Sequence, residues 1–431
     1  MSNTGVARPR PAGVGLRKVH TPAAALRALE AATRHRLVVL GVAAVALAYA
    51  GRGGYPPPDS VPFAQSGIDL LTGRFGDVYA DDYNQSGPLQ LIANALFLPT
   101  GYSAVGLLIM QIVGNLVVVG ALMAGSRVCR RAVGLTPSPV AELAVGLASL
   151  LWIIPGDLWS GHLAGVAIPC LWLAAAESAR RDHPYLAATL LGLSAGFEPW
   201  GVLAFGVLLI ERRPTVVLRA GCLAGAVAVA LYAPFALTGS FHMFEHAWPV
   251  SEVSVVHLIW PDADQFTWQM RMTQGATSSL ACAAVVLALR HRAGAAVWMA
   301  PLAAILFRLL LDPTVFSYYW VPVCLVALVG ASTIGATSSR PAVIALLSLA
   351  YLPFVKVASA TGLNLVLTIS ALACTVACVR RAPPAMGAAP AGARSASAPS
   401  DAARHHALAR IRSRAGRAEV RSRKTAPGPG R

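Results

Sequence analysis

Long apolar segments, separated by short polar ones, recur along the chain from residue 37 to residue 378. Many approach the length of about 20 residues that an α-helix needs to cross a bilayer. The pattern predicts an all-α, polytopic membrane protein with about 12 transmembrane helices. The candidate spans are 37–51, 102–124, 137–154, 162–178, 184–196, 200–211, 215–237, 273–289, 294–311, 319–337, 341–355 and 361–378.

Basic residues cluster between alternate spans, which sets the predicted orientation. If Gly87–Pro99, which is too short for an easy crossing, is re-entrant or lies at the interface, every cluster falls on the cytoplasmic side. Both termini are then cytoplasmic as well. The clusters are Arg127/Arg130/Arg131, Arg180/Arg181, Arg212/Arg213, Arg290/Arg292, Arg340 and Arg380/Arg381.

This topology divides the chain into three parts. Residues 1–36 form a basic cytoplasmic segment, residues 37–378 the membrane domain, and residues 379–431 a basic cytoplasmic tail predicted to be disordered from its Ala, Pro, Gly and Ser content. The longest outer loops are 52–86 and 238–272. The polar chemistry is therefore expected on the outer face. The segment "GFEPWG" predicts two half-length helices that meet at Pro199.

Composition supports a membrane protein and argues against other classes. The 431 residues are 56% hydrophobic and 13% charged, where a soluble domain has about 25% charged residues. The net charge of +16 lies mostly in the tails and inner loops, so it suits contact with membrane lipids better than nucleic acid. The seven cysteines form no CxxC pair, and His242, His246 and His257 lack metal-ligand spacing, so no metal or other cofactor is expected.

The first outer loop holds five aspartates, including Asp59. Residues 60–72 have apolar side chains at helical spacing and predict an amphipathic helix lying on the bilayer surface; the face is formed by Val61, Ala64, Ile68 and Leu71. Asp59 directly precedes this helix. Two roles are open for it: an N-cap, or a partly desolvated base that deprotonates a sugar hydroxyl.

The order Asp59, Leu70-Leu71-x-Gly73, Tyr79 and Gly87-Pro88-Leu89 resembles the GT-C superfamily of membrane glycosyltransferases. It is most similar to glycosyltransferase family 87, the polyprenol-phosphate-mannose-dependent α-mannosyltransferases. The segments "GLSAGFEPWGVLAF" and "RLLLDPTVFSYYW" also resemble segments of that family. Two positions depart from the family pattern: "QSGP" replaces its "YPP", and Glu198 replaces a lysine.

The resemblance implies a GT-C-like fold and a glycosyltransferase whose catalytic base is Asp59. It implies a polyprenyl-phosphate sugar donor, with mannose as the sugar, and a glycolipid or glycan acceptor. The composition, rich in Ala, Gly and Arg, leaves arabinose open as the sugar. Asp81 and Asp82 are rival bases, or otherwise solvated loop acids. Cations that would stabilise the phosphate are expected on the outer side. The candidate substrate-binding residues are Asp81, Asp82, Gln85, His246, His257, Arg271, Arg308, Asp312, Tyr318 and Lys356.

Several of these residues have a structural interpretation too. Arg308 lies inside an apolar segment, where an ionisable residue suggests function, but its spacing from Asp312 also permits a structural ion pair. Arg271 is either a ligand or a charge flanking a span, and Tyr318 belongs to an interfacial aromatic belt or stacks on a sugar. Two other functions stay open: a transporter or flippase, and a GT-C-like scaffold without activity.

Overall fold

Helices make up nearly all the regular structure in a computed structural model of the chain. The structure describes residues 23–50, 59–97, 104–153, 161–238, 240–252, 254–314, 316–334, 340–351, 369–370 and 373, all within one compact unit, Met1–Ala382. The second unit, Pro383–Arg431, lies outside the described residues. Over the described ranges no strand forms, and Pro249 and Gln265 make an isolated β-bridge.

The helices follow the apolar segments of the sequence. A 3₁₀ segment runs from Pro199 to Ile210, and short 3₁₀ turns occur at Phe75–Asp77, Arg290–Arg292 and Ser317–Trp320. The α-helices are α1 (Ala23–Arg34), α2 (Arg36–Ala50), α3 (Ser60–Leu71), α4 (Pro88–Phe97), α5 (Ala104–Ala132), α6 (Pro139–Ile153), α7 (Ala164–Arg180), α8 (Pro184–Ala195), α9 (Pro214–Thr238), α10 (Val255–Ile259), α11 (Trp268–Ala288), α12 (Ala293–Leu310), α13 (Val321–Ile334) and α14 (Arg340–Tyr351).

Several helices have the length and composition to cross a membrane. Val105–Ala132, Pro214–Thr238 and Arg290–Leu310 qualify singly, and α1 with α2, bent by 88° at their junction, would make a fourth. Shorter apolar helices are Pro139–Leu151, Pro184–Ala195, Pro199–Ile210 and Tyr318–Ile334. The all-α class is thus confirmed for the described residues, together with apolar helices that could span a membrane. The count of about 12 spans stays a prediction, and its last span, 361–378, lies almost entirely outside the described residues.

The centre of the helix bundle is formed by α12 and α13, which are buried along most of their length. Both helices are rich in small residues, which allow neighbouring backbones to approach closely. At Gly330 of α13, an added Cβ would lie 2.7 Å from the ring of Trp298 on α12. This contact leaves no room for a side chain at position 330.

The basic ends of the helices lie together. Glu142, at the start of α6, is bound by Arg36 at 2.7 Å and by Arg127 at 2.6 Å. Arg212 donates a hydrogen bond to the carbonyl of Arg290 at 3.2 Å, and the start of α12 contacts the end of α5. Among the described residues, these contacts bring the segments that carry Arg127, Arg212 and Arg290 together at one end of the bundle.

Helix α3 matches the predicted amphipathic helix in its bounds. Gly67 lets α3 approach the backbone of α4 so closely that any side chain at position 67 would overlap the carbonyl of Leu91. The face against α4 therefore centres on Gly67, while Ile68 and Leu71 are 41% and 56% exposed. That the face of Val61, Ala64, Ile68 and Leu71 lies on the bilayer surface stays a prediction, although Ala64 is buried within the protein. The buried residues are Ser60, Phe63, Ala64, Gly67 and Leu70.

Candidate functional site

A cavity of about 370 Å³ opens at the end of the bundle opposite the arginine clusters. Its wall combines the first outer loop with the ends of α7, α8, α11 and α12 and the 3₁₀ turn Ser317–Trp320. Ionisable side chains that meet there are Asp59, His162, Glu198, Arg308 and Asp312. They come from distant parts of the chain, so the fold is what assembles this group.

His162 lies between two carboxylates. Its Nε2 is 3.1 Å from Oδ2 of Asp59, and its Nδ1 is 3.4 Å from Oε1 of Glu198. The ring stacks on Tyr318, with centroids 4.2 Å apart and planes 9° apart, and it meets the edge of Phe63 at 5.3 Å. Stacking and hydrogen bonding together fix the plane of the imidazole.

The two carboxylates favour the protonated imidazole. Burial alone would lower the pKa of His162, but the hydrogen bonds with Asp59 and Glu198 and their negative charges outweigh it, so the pKa is raised. Burial would raise the pKa of Glu198, yet the hydrogen bond and charge of His162, together with the charge of Arg308, lower it. A protonated His162 can donate to both carboxylates at once, which a neutral imidazole cannot do.

Asp59 occupies the N-cap position of α3, but its side chain makes no capping hydrogen bond. Its backbone carbonyl accepts from the N–H of Phe63 at 3.1 Å, while the carboxylate binds His162. The geometry therefore separates the two roles that the sequence left open. The carboxylate faces the cavity, and the cap is a property of its backbone alone.

Gly161 makes the approach of Asp59 and His162 possible. Its φ is +93°, a left-handed conformation that side chains disfavour. A Cβ there would lie 2.7 Å from Cα of Ser60 and 3.1 Å from the carbonyl carbon of Asp59. The glycine thus allows the backbone before α7 to lie directly against the backbone that carries the carboxylate.

Arg308 is one of two arginines in the wall, with Arg271. Its guanidinium lies over the ring of Trp200 at 4.7 Å and over that of Tyr319 at 5.0 Å, and is 3.6 Å from the carboxylate of Asp312. Trp200 also donates its indole N–H to Glu198. The guanidinium is therefore held by two aromatic faces and one carboxylate, beside the Glu198–His162 pair.

Asp312 is buried, and burial raises its pKa to about 6 despite the attraction of Arg308. The carboxyl therefore titrates just below neutral pH, where an ordinary aspartate is fully ionised. Such a group beside a buried cation changes the local charge within the physiological range.

The first loop is anchored to the break that follows α8. The N–H groups of Gly87 and Leu89 donate to the carbonyls of Phe197 and Gly196, each at 2.8 Å. A Cβ on Gly87 would overlap the carbonyl of Gly196. The break itself agrees with the prediction from "GFEPWG", since α8 ends at Ala195 and the next helical segment starts at Pro199.

At the rim, the loops 52–86 and 238–272 are joined through Gln85. Its side chain accepts from the indole N–H of Trp248 at 2.9 Å and donates to the carbonyl of His246 at 3.3 Å. Arg271 donates to the same carbonyl. Gln85, Trp248 and Arg271 all line the cavity, so this junction shapes its mouth.

The structure brings six of the eleven residues predicted for the site to the cavity and places four others elsewhere, and one is not described. Asp81 accepts from the N–H of Tyr83 in its own turn, and Asp82 pairs with His246 at 3.4 Å outside the wall. His257 lies on α10, away from the lining, and Lys356 lies outside the described residues. The six that line the cavity are Asp59, Gln85, Arg271, Arg308, Asp312 and Tyr318.

Sequence reasoning missed His162 and gave Glu198 no role. The signal for His162 was weak: a single histidine at the end of a short outer segment, with its partner 103 residues away. Glu198 stood out as a charge reversal, and the structure pairs it with an imidazole. The described residues hold no group of three or more His, Cys, Asp or Glu side chains arranged for a metal ion.

Comparison with protein-family models found none that matches the chain, and a search of the curated proteins found no match.

Proposed function

We propose that this protein is an integral membrane glycosyltransferase. It moves a sugar, with mannose the first choice, from a polyprenyl-phosphate donor to a hydroxyl of a lipid- or wall-linked glycan. The observation that carries the proposal is the pairing of Asp59 with His162 in a cavity that also holds Arg308. A base, a group that orients it and a cation for a phosphate are what such a transfer needs.

In the proposed reaction, the acceptor oxygen attacks C1 of the sugar from the side opposite the phosphate. The new C1–O bond forms as the bond to the phosphate oxygen breaks, and polyprenyl phosphate leaves with the electron pair. Asp59 takes the proton of the acceptor hydroxyl. His162 holds the carboxylate in place, and Arg308 stabilises the negative charge that grows on the phosphate. The anomeric configuration is inverted.

The proposed topology places the cavity on the outer face of the cytoplasmic membrane and both termini in the cytoplasm. It is supported by the arginine clusters at the opposite end of the bundle, as the positive-inside rule requires. Helix α4 has 10 residues and is therefore about 15 Å long, half of a hydrocarbon core of about 30 Å. With α4 not crossing, the proposed count is about 12 spans.

Asp59→Asn tests the mechanism. Because the amide cannot take a proton, we expect transfer from polyprenyl-phosphate mannose to endogenous membrane acceptors to fall by about 10²-fold or more. Mass spectrometry of the glycolipids, with and without expression of the gene, identifies the product.

Asp69→Asn is the matched control, since Asp69 lies on α3 and binds Arg74 outside the cavity. Unchanged transfer by Asp59→Asn, or substrate transport in proteoliposomes with no glycosyl product, would overturn the proposal.

A further inference from the structure

We propose that Gln90 and Asn94, on α4, are positioning residues that orient His162 and, through it, Asp59. The inference rests on the proposed function and extends it to two side chains that do not line the cavity. Both are almost fully buried, with exposures of 0% and 2%. Polar side chains in such places are expected to have a defined hydrogen-bonding task.

The two side-chain amides form hydrogen bonds with the backbone on either side of His162. Asn94 donates from Nδ2 to the carbonyl of Gly161 at 2.9 Å. Gln90 accepts, through Oε1, from the N–H of Ala164 at 2.8 Å. The residue that carries the imidazole is therefore held from both sides by one short helix.

Further hydrogen bonds fix the orientation of the side-chain amides of Gln90 and Asn94. Nε2 of Gln90 donates to Oγ of Ser86 at 2.9 Å, and Nδ2 of Asn94 also donates to the carbonyl of Gln90 at 3.0 Å. Ala164 is the first residue of α7, so its N–H has no partner within the helix. Gln90 supplies that partner, and a buried N–H left without one would be destabilising.

These two hydrogen bonds explain how a single histidine in a loop keeps its own two hydrogen bonds, which point in opposite directions. Since its distances to Asp59 and Glu198 are 3.1 and 3.4 Å, a backbone shift of about 1 Å would break at least one of them. Arg308 makes no contact with α4 among its described interactions, so the cationic wall would stay in place. Loss of the hydrogen bonds from Gln90 and Asn94 is therefore expected to impair turnover and leave donor binding intact.

The experiment compares two asparagines in the same chain. Asn94→Leu removes the bond to Gly161, while Asn115→Leu removes an equally buried one, from Asn115 Nδ2 to the carbonyl of Ala44 at 2.9 Å, on helices away from the cavity. We expect kcat of Asn94→Leu to be about tenfold or more below that of Asn115→Leu, because the base is misplaced. The donor KM of the two variants should agree within about threefold.

The pH profile supplies a readout that mere loss of stability would not move. The groups that face His162 are Asp59 before α3, Glu198 after α8 and Tyr318 in the 3₁₀ turn. The two carboxylates raise the pKa of His162, so a ring that drifts away from them should lose its proton at lower pH. The alkaline limb of kcat should consequently move to lower pH in Asn94→Leu and stay in place in Asn115→Leu.

A second variant keeps the test decisive if Asn94→Leu does not fold. Gln90→Met conserves the shape of the side chain and removes the acceptor for Ala164, so the same loss of kcat and the same shift are expected. If Asp59→Asn is inactive but Asn94→Leu and Gln90→Met behave like Asn115→Leu, the inference is wrong while the proposed function stands. If Asp59→Asn is active, the proposed function itself fails.

Discussion

Gly161→Ala should disable the site without touching any ionisable group. The added Cβ would lie 2.7 Å from Cα of Ser60, whereas carbon atoms in contact are about 3.5–4.0 Å apart. The backbone must therefore open by about 1 Å at the point where Asp59 and His162 are 3.1 Å apart, which is enough to break their hydrogen bond. A displacement of this size can reduce catalysis by about 10²-fold.

Gly161→Ala also costs stability because alanine disfavours the left-handed backbone conformation. A substitution at a second glycine measures this cost separately. Gly134 has φ +82°, close to the +93° of Gly161, but a Cβ there would meet nothing within 4 Å. Both alanine variants should lose about 1–2 kcal/mol from the left-handed conformation. Only Gly161→Ala adds the clash with Ser60.

The assay is transfer activity in membranes, normalised to the amount of folded protein, with thermal unfolding in detergent as the companion measurement. We expect Gly134→Ala to keep nearly full activity and Gly161→Ala to lose about 10²-fold. Equal activities of the two variants would refute the argument that the backbone contact at Ser60 sets the position of Asp59.

Three further predictions concern charge. The pKa of His162 is raised, so the protonated ring orients Asp59 below that pKa and no longer does so above it. Activity should therefore fall on the alkaline side with a midpoint above 6.5. His162→Gln should not show this alkaline fall in activity. Burial raises the pKa of Asp312 from 3.8 to about 6, so ionisation of this carboxyl opposes folding as the pH rises through this range. The free energy of unfolding of Asp312→Asn should therefore exceed that of the wild type by about 3 kcal/mol at pH 7.5 and equal it below pH 3.8. Parallel stability curves in denaturant titrations would contradict this. Arg308→Lys loses the planar group held between Trp200 and Tyr319, so the donor KM should rise about tenfold in initial-rate measurements, and an unchanged KM would argue against a phosphate contact.

The spacing of residues in the sequence was sufficient to predict features that lie within one segment of the chain. Apolar periodicity predicted a helix over 60–72, and α3 runs from Ser60 to Leu71. The spacing of Arg308 and Asp312 permitted an ion pair, and the two groups are 3.6 Å apart, although Asp312 lies just beyond the last residue of α12. In both cases the residues concerned are close together in the sequence.

Features that depend on distant segments were not predictable in this way. Which face of α3 packs against the protein depends on Gly67 and the backbone of α4, and apolar spacing within the segment could not show this. His162 has its role because α4 and Gly161 bring it to Asp59 across 103 residues. One histidine in a short outer segment carries no pattern from which such a pairing can be deduced.

The attachment of Gly87 and Leu89 to the carbonyls of Gly196 and Phe197 has a consequence for biosynthesis. The first outer loop leaves the ribosome long before its partners exist, so its amide groups remain hydrated until the middle of the chain has been inserted. Tyr318 and Arg308, which complete the wall, are synthesised later still. The nascent chain therefore passes through stages that carry Asp59 but have no enclosed cavity, and the cavity wall is complete only after Tyr319 has been synthesised.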